Sequence, residues 1–394
     1  MQSETIGTLE KPGTLENAAT AYSRKNPFPA TVLENRLLTG PGSEKETRHI
    51  ELDLTGSAIE YLPGDSAGIL PVNPCDAVEL VLERLQFTGD EPVVDFYGQP
   101  LNLREALTSW LMIGKLSSAT LKGWAKHTGN PELSALIEPG NKEKLDAYLW
   151  GREFLDLLEH SPAKLDDPQQ LFKLLPRLAP RLYSIASSQA LRPNQIDLSV
   201  RVVKYESYGR ERQGVCSAHI GERTPKGGKL PIFIHSNQLF RLPADPAAPV
   251  IMVGPGTGVA PFRAFLEHKQ AGCGSWPMWL FFGDQRASED YLYREDLERW
   301  LSNGILQRLD TAFSRDQKEK IYVQQRIREN SAQLWDWLER GGYFYVCGDS
   351  KRMAPDVEAA LLEAVANHSR RGPDYANEFL AEMKKQKRYL RDVY

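Results

Sequence analysis

The chain has 394 residues, with 48 Lys and Arg against 52 Asp and Glu, and its formal net charge of -4 lacks the basic excess of a dedicated nucleic-acid binder. Its 41% apolar and 25% charged residues are those of a soluble globular protein, and no apolar run reaches the ~18 residues that span a bilayer. That length exceeds one ordinary domain and suits about two or three packed units.

Residues 1–26 are polar and aperiodic and read as a tail or linker, without the apolar stretch of a secretory signal. From residue 29 to 70, runs such as Thr31-Val32-Leu33 and His49-Ile50-Glu51-Leu52-Asp53-Leu54 alternate, with Gly and Pro between them, which is strand and turn grammar. Asn73-Pro74 predicts a helix N-cap with proline in the first turn, followed by a buried stripe of Val78, Leu80, Val81, Leu82 and Leu85. Helical patterns dominate to about residue 175, with a further start at Ser161-Pro162, so that residues from about 75 to 173 read as a helical insertion in a β-unit. Strand grammar returns at Arg181. Over residues 196–202 the Ile, Leu and Val side chains share one face, and Asp197, Ser199 and Arg201 share the other, which is expected to be free for a ligand. Beyond a joint at Pro243, Pro246 and Pro249, apolar runs at 250–253, 278–282, 306–313 and 343–346 are separated by helical stretches, as a parallel sheet requires.

Cys75, Cys216, Cys273 and Cys347 lie far apart with no CxxC spacing, which points away from an iron-sulfur cluster or a structural zinc. No metal site is expected, and the simplest setting is reduced and cytoplasmic.

Two segments offer cofactor chemistry. An FAD needs a cation for its pyrophosphate, an aromatic face for its ring and a hydroxyl near the flavin N5, and Arg181-Leu182-Tyr183-Ser184 supplies all three within one short strand. Taken alone, the same pattern is also that of an ordinary β-strand. Gly214-Val215-Cys216-Ser217 puts small residues and a hydroxyl at the start of a helix, where unpaired N–H groups can cradle a phosphate.

Further on, a buried run ends in Gly254-Pro255-Gly256-Thr257-Gly258 and a helix opening at Pro261. Glycines there let the backbone approach a pyrophosphate at a helix N-terminus. The turn is not the GxGxxG fingerprint, because Val259 and Ala260 stand where its last glycine would be. After the third apolar run comes Ser314-Arg315-Asp316-Gln317-Lys318-Glu319-Lys320-Ile321-Tyr322-Val323-Gln324. NADPH differs from NADH by a 2′-phosphate that calls for cations and hydroxyls, and Ser314, Arg315, Lys320 and Tyr322 provide them. By itself this stretch is also a solvated charged loop. Cys347 ends a buried strand, at the sheet edge where ligands bind, although a lone strand cysteine is as readily packing.

These segments together resemble those of the ferredoxin-NADP reductase-like superfamily, and most closely the flavoprotein subunits of NADPH-sulfite reductases among the diflavin reductases. The resemblance runs from about residue 27 to 394, and residues 181–189, 314–324 and 389–394 are its most specific parts. It implies a multidomain β and α/β fold: an antiparallel FAD-binding β-barrel with a helical insertion over 27–242, then a parallel-sheet NADP(H)-binding α/β unit over 243–394. Through the RxYS and GxxS motifs it implies FAD contacts at Arg181, Leu182, Tyr183, Ser184, Gly214, Val215, Cys216 and Ser217, and through the intervening strand at Ser199, Val200, Arg201 and Tyr205. It implies NADPH contacts at Gly256 and Thr257, at Ser314, Arg315, Lys320, Ile321, Tyr322, Val323 and Gln324, and at Asp356. Cys347 is implied to orient the nicotinamide, Asp392 to manage charge at N5, and Tyr394 to lie on the flavin and move aside. Relatives often have a smaller residue where Cys216 stands.

The resemblance implies an NADPH-dependent FAD reductase whose electrons leave to a separate acceptor, a sulfite reductase haemoprotein or its carrier. Reduction of ferredoxin or flavodoxin in other metabolism, and a flavin-binding assembly subunit without turnover, remain as alternatives. Only the tail precedes the β-unit, and no strand leads into a Ser/Thr/Gly phosphate loop, so FAD is expected without FMN. Lys384, Lys385, Lys387, Arg388 and Arg391 are either a docking patch for an acidic partner or a solvated helix face.

Overall fold

A computed structural model describes residues 22–394. Most of the expected tail, residues 1–21, lies outside the described residues; Tyr22 packs edge-on against Phe28, with ring centroids 5.0 Å apart.

Strands β1 (Phe28–Leu37), β2 (Glu46–Asp53) and β3 (Ser66–Ile69) are followed by a small hairpin, β4 (Pro92–Val94) and β5 (Pro100–Asn102). Then come β6 (Arg181–Ser184), β7 (Gln195–Val202), a second hairpin of β8 (Lys204–Ser207) and β9 (Arg210–Gln213), and β10 (Lys229–His235). Six of them form one antiparallel sheet in the order β6-β3-β10-β1-β2-β7. Its two edges meet at the bridge Ile185↔Leu198 and at a 2.8 Å bond from Ala186 N to Asp197 O, which closes the sheet into a barrel. Period-2 alternation turns Val32, Ile50, Leu52, Ile196, Leu198 and Val200 inward to its core.

Between β3 and β6 sits the helical insertion, packed around Trp124, Phe154 and Leu157, all fully buried. Two of its expected details differ. The helix Cys75–Leu85 has no side-chain cap. Asn73 instead donates through Nδ2 to the carbonyls of Leu107 and Leu111 at 2.6 and 2.7 Å, because a buried amide is held where carbonyls await a donor. Leu80 is 38% exposed and leaves the stripe, while Val78, Val81, Leu82 and Leu85 stay buried. No helix starts at Ser161: it ends the helix Phe154–His160, and its carbonyl accepts from Trp124 Nε1 at 2.9 Å.

The C-terminal part holds β11 (Val250–Val253), β12 (Met278–Asp284), β13 (Arg308–Phe313), β14 (Tyr343–Gly348) and β15 (Tyr389–Val393), all parallel, in the order β13-β12-β11-β14-β15. Helices cover both faces, so the central strands are apolar throughout. Strand order reverses between β11 and β14, which opens a crevice at their carboxyl ends, the place where such sheets bind ligands. The turn at 254–258 leaves β11 there, and Cys347 and Gly348 end β14 beside it.

Candidate functional site

The barrel and the parallel sheet face each other across a cleft of about 1290 Å³, larger than the ~300–1,000 Å³ that holds one small molecule. Eight Lys and Arg against three Asp line it, a balance that suits polyanionic ligands such as dinucleotides.

On the barrel side, β6 puts Arg181, Leu182, Tyr183 and Ser184 on the cleft, and β7 adds Ser199 and Arg201. Neither Arg181 nor Arg201 has a carboxylate partner among the described residues, so two guanidinium groups are free for phosphate. Gly214 precedes the short helix Val215–Ala218, which continues as a π-helical turn over His219–Arg223. Ser217 Oγ accepts from Val203 N at 3.1 Å and ties this helix start to the end of β7. The Tyr183 hydroxyl lies against the Cys216 thiol. Burial, and then each other's proximity, raises the Tyr183 pKa well above the usual value, and burial pushes Cys216 up to about 11. Both stay protonated at neutral pH, which adds no negative charge to this part of the cleft.

The sheet side is built on close backbone approach. Gly256 sits at φ +57°, a left-handed conformation that glycine adopts without strain. A Cβ on Gly258 would lie 2.2 Å from the Cys347 carbonyl oxygen, so only glycine lets the turn rest on the end of β14. Ser314, Arg315, Lys320, Tyr322, Val323, Gln324 and Asp356 line the cleft beyond it, and Gln324 Nε2 donates to Asp356 at 3.1 Å.

Between the two sides, three polar groups meet. Ser184 Oγ donates to Asp392 Oδ2 at 2.6 Å, and Cys347 Sγ lies 4.0 Å from the same oxygen. Parallel pairing sets this, because the β14–β15 register puts Cys347 opposite Asp392. Burial first, and then the Asp392 charge, holds the Cys347 pKa well above that of an ordinary thiol, so it stays a thiol rather than a nucleophilic thiolate. Tyr394 is tied in place: its N–H donates to Gly348 O at 3.1 Å, and its hydroxyl lies 3.0 Å from Thr257 Oγ1.

Several expected placements change. The side chains of Val200 and Ile321 pack into hydrophobic cores and not into the cleft. Cys347 is fully buried beneath it. The polar face of β7 is mostly covered rather than free: Asp197 is fully buried against Arg263, Ser199 is bonded to Tyr293, and only Arg201 is exposed. The basic cluster near residue 390 is partly spent internally, since Lys384 and Arg391 both pair with Glu358, which favours the solvated-face reading.

Other cleft residues belong to no motif in the sequence. Trp150, 65% exposed, comes from the insertion and faces Tyr205 with ring centroids 6.3 Å apart; an exposed Trp beside Gly151 was the available signal. Gln285 carries a buried Oε1 with no donor among the described residues. The β1–β2 loop reaches over to the parallel-sheet side, where Gly40 N donates to Glu289 O at 2.7 Å, Lys45 pairs with Asp284, and Glu44 pairs with Arg315. No spacing in the sequence links these positions.

The donor set fits both dinucleotides: two unpaired guanidinium groups and a helix start on one side, a glycine turn with cations and hydroxyls on the other. Residues 20–219 match the family model described as FAD binding domain, and residues 252–359 match that described as Oxidoreductase NAD-binding domain. The chain is 45% identical over 381 residues to the sulfite reductase [NADPH] flavoprotein alpha-component of Bacillus subtilis (strain 168), covering 96% of this chain and 63% of that protein. It is 44% identical over 373 residues to the protein of the same name from Escherichia coli (strain K12), covering 95% of this chain and 62% of the relative. The chain thus spans less than two thirds of the length of these relatives.

Proposed function

The chain belongs to the ferredoxin-NADP reductase-like family of joined FAD-binding and NAD-binding domains, and we propose that it reduces FAD with NADPH and passes the electrons to a separate redox protein. The observation that supports this most is the meeting of Ser184 from the barrel with Cys347 and Asp392 from the sheet, at the point where the two halves of the cleft join.

When bound, NADPH supplies a hydride and FAD accepts it, chemistry that no side chain offers. This chain's residues bind, orient and shield. Arg181, Arg201 and the N–H groups at 214–217 would hold the FAD pyrophosphate, Leu182 and Tyr183 would line the flavin, and Tyr205 with Trp150 would wall the cleft beside it. Val200 acts through its backbone alone. Gly256 and Thr257 would receive the nucleotide pyrophosphate, and Ser314, Arg315, Lys320 and Tyr322 the 2′-phosphate. Gln324 and Asp356 would border the adenosine, with Ile321 and Val323 supporting the loop from the core. Ser184 Oγ holds its proton toward Asp392, Cys347 would help to position the nicotinamide, and Tyr394 would cover the flavin and give way to the nicotinamide.

We take the FAD unit as 27–242 and the NADP(H) unit as 243–394. Neither FMN nor an iron-sulfur cluster is assigned to these residues. The acceptor is a sulfite-reducing haemoprotein or its carrier, in keeping with the names of the relatives, and the four free thiols suit a reducing, cytoplasmic setting. The test is to load the protein with FAD and titrate it anaerobically with NADPH, then with the haemoprotein. Flavin bleaching followed by haem reduction is expected; a protein that takes up no flavin, or whose flavin NADPH leaves oxidised, sinks the proposal.

A further inference from the structure

The helix Ala260–Gln270, which follows the glycine turn, is fastened directly to the chain just after Ser184. Arg263 and Glu267, one helical turn apart, are only 3% and 1% exposed. Arg263 donates through Nη1 to Ala186 O at 2.6 Å and to Asp197 Oδ2 at 2.9 Å, and its Nη2 pairs with Glu267 at 3.0 Å. Glu267 in turn accepts from Ser188 N at 3.0 Å and from Arg192 Nε at 3.1 Å. Two backbone groups of the flavin-side strand extension are therefore held by charged side chains of the nucleotide-side helix.

The cluster has little room for other roles. His49, Glu51 and Asp197 are close enough together for a metal ion, but Arg263 and Arg192 already neutralise Asp197. Net stability is a weak explanation as well, because desolvating buried charges cancels much of their attraction. What such a network does supply is a single geometry, where a polar interface between two units would ordinarily permit relative motion.

Its position makes that geometry matter. Ala186 is two residues from Ser184, roughly 7 Å along extended chain. Arg263 is five residues from Gly258, roughly 8 Å along a helix. We propose that Arg263 and Glu267 are positioning residues for hydride transfer: they fix the flavin strand against the nucleotide turn, and so set the distance and angle between the two rings. This rests on the function proposed above. A misplacement of about 1 Å at a reacting centre can cost on the order of a hundredfold in rate, so a slackened lock should show in the rate first.

The test uses the full chain and two conservative variants, Arg263→Lys and Glu267→Gln. Cys75 and Cys273 are exposed, one on each unit, whereas Cys216 and Cys347 are buried, so spin labels on the native thiols report the distance between the units without further changes. Wild type should give one narrow distance distribution. Both variants should broaden it and slow FAD reduction by NADPH at least tenfold, with FAD content and 2′,5′-ADP affinity within twofold of wild type. A reduction rate within twofold of wild type in either folded variant overturns the proposal, whatever the distances do. Parallel loss of FAD and of 2′,5′-ADP binding overturns it too, since that marks a general folding role. Should Arg263→Lys fail to fold, Glu267→Gln and Arg192→Gln, which removes the second donor to Glu267, decide. Wild-type flavin that NADPH does not bleach would sink the proposed function instead, a result told apart by the distance readout, which needs neither cofactor.

Discussion

Replacing Gly258 by alanine should damage hydride transfer more than it damages the fold. Its Cβ would lie 2.2 Å from the Cys347 oxygen, 2.8 Å from the Cys347 carbonyl carbon and 3.3 Å from Gly348 Cα, all backbone atoms that no rotamer change can clear. Since ordinary contact needs about 3.4 Å or more, the turn and the end of β14 must separate by about 1 Å. Overpacking of this kind costs about 1–3 kcal/mol, or a fall in melting temperature of about 2–4 °C per kcal/mol. The same displacement moves the nucleotide turn relative to Cys347 and Ser184, and should slow FAD reduction by about tenfold to a hundredfold. Gly256→Ala is the control: at φ +57° it carries a backbone penalty of about 1–2 kcal/mol, yet its Cβ meets nothing closer than Asp284 Oδ2 at 3.6 Å. Stopped-flow flavin absorbance and thermal melts on both variants separate the effects. If Gly258→Ala reduces FAD as fast as Gly256→Ala at matched NADPH saturation, the close approach does not position the reaction and the reasoning fails.

Arg315→Ala should raise the KM for NADPH, losing a contact worth at most about 1.5–3 kcal/mol before solvent screening, and leave NADH kinetics nearly unchanged; equal losses for both nucleotides would refute the phosphate role. Glu44 competes for the same guanidinium, so Glu44→Gln should tighten 2′,5′-ADP binding by up to about fivefold by calorimetry, and weaker binding would show that Glu44 helps to hold the nucleotide. Removal of Tyr394 should lower the preference for NADPH over NADH, and an unaltered ratio of kcat/KM values would argue against its covering role. His219 is buried with an unpartnered Nδ1; burial, and then Arg223, depresses its pKa from 6.5 to about 4. A depressed histidine contributes stability that is full above pH 6.5 and is lost as pH falls through about 4, roughly 3 kcal/mol at most. Melting temperatures from pH 7 to 4 should therefore fall more steeply for wild type than for His219→Gln, and matching slopes would contradict this.

The parts of the fold set by local pattern were legible. Buried β-branched and aromatic runs marked β11, β12 and β14, and alternation marked β7, because both patterns depend only on the neighbours in sequence. Asn73 and Ser161 depart from their local pattern for a physical reason: Asn-Pro and Ser-Pro are helix-start chemistry, yet carbonyls and donors from distant helices recruit both residues first. The polar face of β7 illustrates the same limit. Alternation showed that Asp197, Ser199 and Arg201 share a side, but not that Arg263 and Tyr293 of the other unit would cover two of them. At the site, Arg181 to Ser184, the glycine turn and the 314–324 loop were readable because each is a contiguous donor set. Asp392 reaches Cys347 through strand register between residues 45 positions apart, and Lys45, Trp150 and Gln285 arrive from elements whose own sequence says nothing of the cleft.

Direct passage of hydride between two rings held in one cleft is best tested by stopped-flow reduction of the FAD-loaded chain with NADPH deuterated at C4, compared with the unlabelled nucleotide. Rapid bleaching that slows on deuteration of one face of C4 alone is the expected result. Flavin that is reduced at the same rate by both, or by neither, would contradict the assignment of the cleft as the place where the two cofactors meet.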